Sequence, residues 1–302
     1  MKKKTIILFV FFITILLISG CVTNSKKEIN EKKNIIVSIL PQKAFVQAVG
    51  GKNITVKELI SPGGNPTTYE LKPSDLINVE KANVYFTIGH LPFEKANIDK
   101  FTNLNPNMKI INTTSTSDLL YFEQNKKEQN YKKEKKNNNK IDPHIWLAPM
   151  QVKKQIDIIE KTLSKIDSDN SEKYVKNAKS FKKKLDKLHV ELKSKFKKLK
   201  TNKLMVFHPA WGYFAKEYGL EQIAIEQHGK EPTTEQLQKL IKKAKKEKIK
   251  VIFVQSQFNK KIAKSIADEI GAIVVSIDPL SKDYINNLKN VTTTITKHLN
   301  KK

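Results

Sequence analysis

Six histidines and one cysteine are the side chains of this 302-residue chain best suited to grip a borderline metal ion, and their positions sort them. In open α/β sheets, ligands bind beyond the carboxyl ends of the strands. His208 follows the apolar run 203–207 directly, and Asp278 follows the run 272–277 directly. His90 lies two residues past the run 83–88. His144 stands in Asp142-Pro143-His144-Ile145-Trp146, just ahead of a helix signal that begins near Pro149. The other three sort differently: His189 falls off the apolar stripe of a long helix, His298 lies in a lysine-rich C-terminus, and His228 sits in a Gly-Lys loop. Imidazole nitrogen with carboxylate oxygen and no thiolate suits Zn²⁺ or a neighbouring first-row metal. A lone strand-end histidine is more often structural than a ligand. Three of them beside Asp278 make a metal site the sharper expectation.

The elements that must position these residues read as α/β. Residues 34–39, 54–59, 83–88 and 109–112 are short runs rich in Ile and Val, the pattern of buried strands. Between them, 41–49, 73–81 and 92–98 read as helices, each opening with a proline suited to the first turn. A second set follows, with strands at 203–207, 222–226, 250–254 and 272–277 and helices at 211–218, 233–247, 260–270 and 283–299. Strands alternating with helices imply parallel pairing. Between the sets, Tyr174, Ala178, Phe181, Leu185, Leu188, Leu192, Phe196 and Leu199 recur at spacings of four and three. That is one apolar stripe along about 40 Å of helix, with Asp169 and Glu172 as a capping pair at its start. The expected architecture is two lobes, each a small parallel sheet with flanking helices. They occupy residues 34–165 and 201–302, are joined by a backbone helix over 166–200, and hold the site in the cleft between them.

The ends and the middle of the chain add compartment and partners. Lys2, Lys3 and Lys4 precede an almost purely apolar run at 5–18, the length of a signal-peptide core and short for a membrane span. It closes on Ile18-Ser19-Gly20-Cys21, which resembles a lipobox, so residues 1–20 are expected to be a signal peptide, Cys21 the lipidated residue, and 21–33 a tether. The body is then extracytoplasmic and held to the membrane by its lipid. As the single cysteine, Cys21 makes no internal disulfide. Residues 123–140 are almost wholly Lys, Glu, Gln and Asn, the composition of a flexible loop. The formal charge of +26 raises nucleic acid as a partner, but all 56 basic residues are lysine. Base and phosphate readers lean on the arginine fork, so nucleic acid is not expected.

Four stretches then line up with a family. Phe207–Leu220, FHPAWGYFAKEYGL, and Asp142–Pro149, DPHIWLAP, resemble two histidine motifs of the zinc and manganese solute-binding proteins of ABC importers. Glu231–Leu237, EPTTEQL, and Ser276–Tyr284, SIDPLSKDY, match further stretches in the same order. The resemblance spans the mature chain and implies two α/β lobes, a backbone helix and one transported metal, zinc first, with manganese or iron as alternatives. It assigns ligand roles to His144, His208 and Asp278, and it implies an ABC permease with a cytoplasmic ATPase as partners of a monomer. One ligand does not carry over. In Pro62–Asp75, PGGNPTTYELKPSD, Thr67 stands where the family places a histidine. His90 at the neighbouring strand end, or a water held by Thr67 or Thr68, is left to fill that position, or the specificity has changed.

Rival readings have less in the sequence to stand on. A metallohydrolase needs an open metal position and a base; Glu70 and Glu231 are candidate bases, but no HExxH pattern occurs. GxSxG, Walker A and GxGxxG patterns are absent too, so no enzyme is expected. Trp146, Trp211 and Tyr213 could line an organic-solute pocket, although such aromatics are usually core, and a surface adhesin role is compatible with the same fold.

Overall fold

The structure is a computed structural model that describes residues 32–122, 141–226, 231–258 and 260–300. The proposed signal peptide, Cys21, most of the tether, the loop 123–140 and His228 lie outside the described residues.

The first sheet is built from β1 (Lys33–Val37), α1 (Leu40–Gly50), β2 (Ile54–Glu58), α2 (Pro73–Glu80), β3 (Val84–Thr87), α3 (Pro92–Leu104) and β4 (Lys109–Asn112). A 3₁₀ turn at Ile145–Leu147 leads into α4 (Pro149–Ile166) and, past a second turn at Ser168–Asn170, α5 (Ser171–Phe196). The second half holds β5 (Lys203–Val206), α6 (Gly212–Tyr218), β6 (Glu221–Ala224), α7 (Thr234–Lys246), β7 (Val251–Val254), α8 (Lys260–Ile270), β8 (Ile273–Ser276) and α9 (Tyr284–Leu299). Strand order is β2-β1-β3-β4 in one sheet and β6-β5-β7-β8 in the other, with all pairs parallel. Each order reverses direction between its first and third strands, and that switch point opens a crevice at the carboxyl ends.

Local chemistry explains the element ends. Proline stands in the first turn of α1, α2, α3 and α4, where its missing N–H costs nothing. At α7 the Thr233 hydroxyl accepts from Gln236 N–H while the Gln236 side chain accepts from Thr233 N–H, a reciprocal capping box. The cap expected from Asp169 and Glu172 does not form. Asp169 lies in the 3₁₀ turn and Asn170 is the N-cap, without a side-chain cap bond. The carboxylate at this corner is Asp167, which accepts from Asn170 Nδ2 at 3.0 Å and from the Tyr174 hydroxyl. The element expected over 166–200 is therefore shorter, a 26-residue helix entered through a turn.

That helix, α5, buries the predicted stripe from Tyr174 to Phe196, and at 1.5 Å per residue it extends about 39 Å. It packs on α1 and α4 from the first half and on α6 and α9 from the second. The seam is aromatic. Phe45 of α1 meets Phe181 of α5 at 6.3 Å and Tyr284 of α9 edge-on at 4.8 Å. One apolar cluster runs through the first sheet, the helices and one face of the second sheet. A second cluster, including Met205, Phe207, Ile252 and Ile266, fills the other face beneath α7 and α8. Residues 33–302 thus form one compact unit.

Candidate metal centre

The two sheets direct their carboxyl ends to one cavity of about 290 Å³. Its wall includes Thr67 after β2, His90 after β3, His144 ahead of α4, His208 after β5 and Gln255 after β7. His144 and His208 come closest, with Nε2 atoms 3.3 Å apart and rings edge-to-face at 5.1 Å.

Both imidazoles are held from behind by carboxylates. Asp142 Oδ1 accepts from the backbone N–H of His144 at 2.9 Å and lies 2.7 Å from its Nδ1. Glu226 Oε2 lies 2.7 Å from His208 Nδ1. Each carboxylate favours the Nδ1–H tautomer, which leaves both Nε2 lone pairs facing each other. Two bare acceptors 3.3 Å apart repel unless a cation joins them. Two Zn–N bonds of about 2.05 Å meeting at a tetrahedral angle place the nitrogens about 3.3 Å apart. The observed separation is that distance.

Neighbouring elements fix these groups. Register between β5 and β6 places Glu226 beside His208, and the Glu226 N–H donates to Phe207 O at 2.8 Å. Phe258 stacks on the His208 ring with centroids 4.7 Å apart. Gly212, at the start of α6, is needed because a Cβ there would lie 2.6 Å from Asp142 Oδ2. Trp146 Nε1 donates to Pro279 O at 2.8 Å, tying the His144 segment to the loop after β8. Burial pushes the His208 pKa down, opposed by Glu226 and reinforced by His144. The ring is therefore neutral and free to coordinate at neutral pH.

His90 lines the same cavity on a stiff loop. Buried Glu94 accepts from Ser38 Oγ and from the backbone N–H groups of Ile88 and Gly89 at 2.5–2.7 Å. Gly89 has φ +82°, and a Cβ would meet Asn112 at 2.3 Å, so the turn admits glycine alone. Burial, then the nearby Lys95, lowers the His90 pKa. Asp278 is placed otherwise. Its neighbours Pro279 and Leu280 line the cavity, while its own Oδ1 accepts from Leu280 N–H at 2.8 Å. Among the described residues no three His, Cys, Asp or Glu side chains converge on one point.

The remaining sequence candidates separate cleanly. Thr67 is at the wall, with its N–H held by Asn65 Oδ1 at 2.9 Å. Thr68, Glu70 and Glu231 are not among the lining residues. Trp211 is fully buried in the core, and Tyr213 spends its hydroxyl on Leu120 N–H at 2.8 Å; neither lines the cavity, whereas Trp146 does. His189 pairs with Glu217 at 2.8 Å on α5 and α6. Two residues the sequence reading left without roles, Asp142 and Glu226, turn out to orient the imidazoles. An acid two residues before His144 was a visible signal, whereas Glu226 required strand register.

The chain is similar to known proteins over most of its length. Residues 35–298 match the family model described as zinc-uptake complex component A, periplasmic. The high-affinity zinc uptake system protein ZnuA of Bacillus subtilis is 31% identical over 293 residues, covering 94% of this chain and 92% of that protein. The iron ABC transporter substrate-binding lipoprotein MtsA of Streptococcus pyogenes is 28% identical over 283 residues, covering 91% and 88%. A crystal structure of a ZnuA deletion mutant with zinc bound superimposes with a TM-score of 0.82 at 36% identity, covering 90% of this chain and 100% of that one.

Proposed function

This chain belongs to the zinc-uptake complex component A family, and from that premise we propose that it captures a divalent transition metal, zinc first, on His144 and His208. It is the extracytoplasmic solute-binding component of an ABC importer and delivers its cargo to the permease, whose ATPase acts from the cytoplasmic side. The observation that carries the reading is the 3.3 Å Nε2–Nε2 separation with a carboxylate behind each ring. Carboxylate-backed histidines are the usual support of bound metal. His90, from the cavity wall, is the third imidazole and takes the place left by Thr67. Asp278 supplies a carboxylate once it releases Leu280 N–H. Manganese and iron remain competitors in the same donor set, with two or three imidazoles favouring zinc. Lipidation at Cys21 anchors the chain, which acts as a monomer.

The test is zinc titration of the chain lacking residues 1–25, by competition with a chromophoric chelator. One tight site is expected in the parent, lost in His144→Ala and His208→Ala and weakened in His90→Ala. A parent that binds no zinc would remove the metal reading.

A further inference from the structure

His208 is held on three sides. Glu226 Oε2 lies 2.7 Å from its Nδ1, its Nε2 faces His144 Nε2 at 3.3 Å, and Phe258 covers one face of the ring. The Phe258 and His208 rings are within 20° of parallel, with centroids 4.7 Å apart. His144 is met differently, by Trp146 tilted at 56° with centroids 5.2 Å apart.

Phe258 is half-buried and lines the cavity. A turn after β7 sets its backbone, with its N–H donating to Gln255 O at 3.2 Å. Its ring meets Phe207 at 5.8 Å and packs on the second apolar cluster. The core of the second sheet therefore places this ring, independently of what fills the cavity.

An aromatic ring is negative on its face and positive at its edge. Against a neutral imidazole the stack is ordinary packing, alike in the empty and the loaded site, and it adds nothing to affinity. Coordination changes the imidazole. When Nε2 gives its lone pair to a divalent ion, the ring loses electron density and turns partly cationic beneath the face that Phe258 presents. The contact then gains cation–π character, and the His208 side chain is only 11% exposed, so little water screens it. An interaction stronger in the loaded state than in the empty one raises affinity by that difference.

We propose that Phe258 is a metal-specificity residue, whose ring face stabilises the coordinated, electron-poor form of His208 and so favours the metals that draw most on an imidazole. Zinc suits imidazole, whereas manganese suits carboxylate and water oxygen. This rests on the metal reading above and deepens it, by naming a group that separates zinc from a competitor for the same donors.

The test replaces Phe258 in the full-length chain, held in mild detergent, by phenylalanines carrying one, three and five fluorines. Fluorination drains the negative face while nearly keeping the shape of the ring. Zinc and manganese affinities are read by chelator competition, and the denaturant midpoint of each metal-free variant is measured beside them. Zinc binding should weaken stepwise along the series, by about fivefold overall, manganese binding by less, and the metal-free midpoint should stay in place. Phe258→Leu, which keeps apolar bulk without a π face, should lower the zinc-to-manganese affinity ratio in the same direction, and Phe258→Trp should retain it. Zinc affinity that is flat across the fluorinated series, or that falls equally for both metals or only in step with the metal-free midpoint, overturns this proposal and leaves metal capture standing. A parent chain that binds no zinc overturns the metal reading and this proposal with it.

Discussion

Replacing Glu226 by glutamine isolates the charge behind His208. Glu226 Oε2 lies 2.7 Å from His208 Nδ1, and its side chain is 6% exposed, so little water screens the pair. The amide that replaces the carboxylate keeps an oxygen able to accept from Nδ1–H but removes the negative charge. Hydrogen bonds to charged groups contribute about 1.5–3 kcal/mol and neutral ones about 0.5–1.5. The difference, about 1–1.5 kcal/mol, corresponds to roughly tenfold in zinc dissociation constant, the lower end of the 10–100-fold typical for groups supporting a metal ligand. Glu226→Ala, which leaves Nδ1–H without its acceptor, should lose about 100-fold. Glu226 also raises the His208 pKa against burial. Its loss lowers that pKa further, proton competition weakens, and the deficit in Glu226→Gln should shrink as pH falls. Chelator competition at several pH values reads both effects. Glu221→Gln, altering an exposed partner of Lys203 on β6, is the control. Equal zinc affinity in Glu226→Gln, Glu226→Ala and the control would refute the claim that this carboxylate supports a metal ligand.

Further outcomes follow from the same geometry. Zinc affinity should hold above about pH 6.5, the ordinary histidine value, and fall below it as protons compete for imidazole. Because burial keeps His208 below that value, its share of the loss comes at more acid pH; unchanged affinity near pH 5 would contradict histidine ligation. Gly212→Ala drives a methyl against Asp142 Oδ2, 2.6 Å away, and should cost about 1–3 kcal/mol in a denaturant titration and weaken zinc as well. Leu188→Ala, at 1% exposure on the stripe of α5, should cost about 2–5 kcal/mol by the same assay while leaving zinc affinity of the folded fraction intact.

Much of this architecture was legible because its signals are local. Alternating apolar runs located the strands within a few residues and helix-opening prolines marked the starts of four helices, although α3 runs on to Leu104 past the expected 98 and α4 was given a start near Pro149 without an end; the stripe from Tyr174 to Phe196 announced α5. His208 and His90 were marked by following strand ends, and His144 by the Asp-Pro-His turn before α4. What stayed hidden depends on juxtaposition. Glu226 reaches His208 only through the pairing of β5 with β6, and Gln255 reaches the cavity only because β7 pairs on the other side of β5. The capping pair expected of Asp169 and Glu172 at α5 was misplaced because the chain enters the helix through a 3₁₀ turn at Ser168–Asn170. Asn170 takes the N-cap position without a side-chain cap bond, and Asp167 at the corner accepts instead from Asn170 Nδ2 and the Tyr174 hydroxyl.

Delivery must undo the binding just described, and the geometry sets how far the protein has to move. His144 enters from the segment ahead of α4, and His208 from the end of β5 in the second sheet, so their Nε2 separation reports the relation of the two halves. Two Zn–N bonds of about 2.1 Å span at most about 4.2 Å, and only with the metal on the line between the nitrogens. From 3.3 Å, a displacement of about 1 Å between the halves therefore removes two-point coordination altogether. The Trp146–Pro279 bond and the aromatic seam of Phe45, Phe181 and Tyr284 resist that displacement. On the function proposed above, a permease that touches both halves needs to supply only about an ångström of strain, with the Trp146–Pro279 bond as one restraint to break. Trp146→Phe, which keeps the apolar ring and loses its N–H, should then speed zinc dissociation in stopped-flow chelation more than it slows association. An unchanged dissociation rate would place the restraint on the aromatic seam instead.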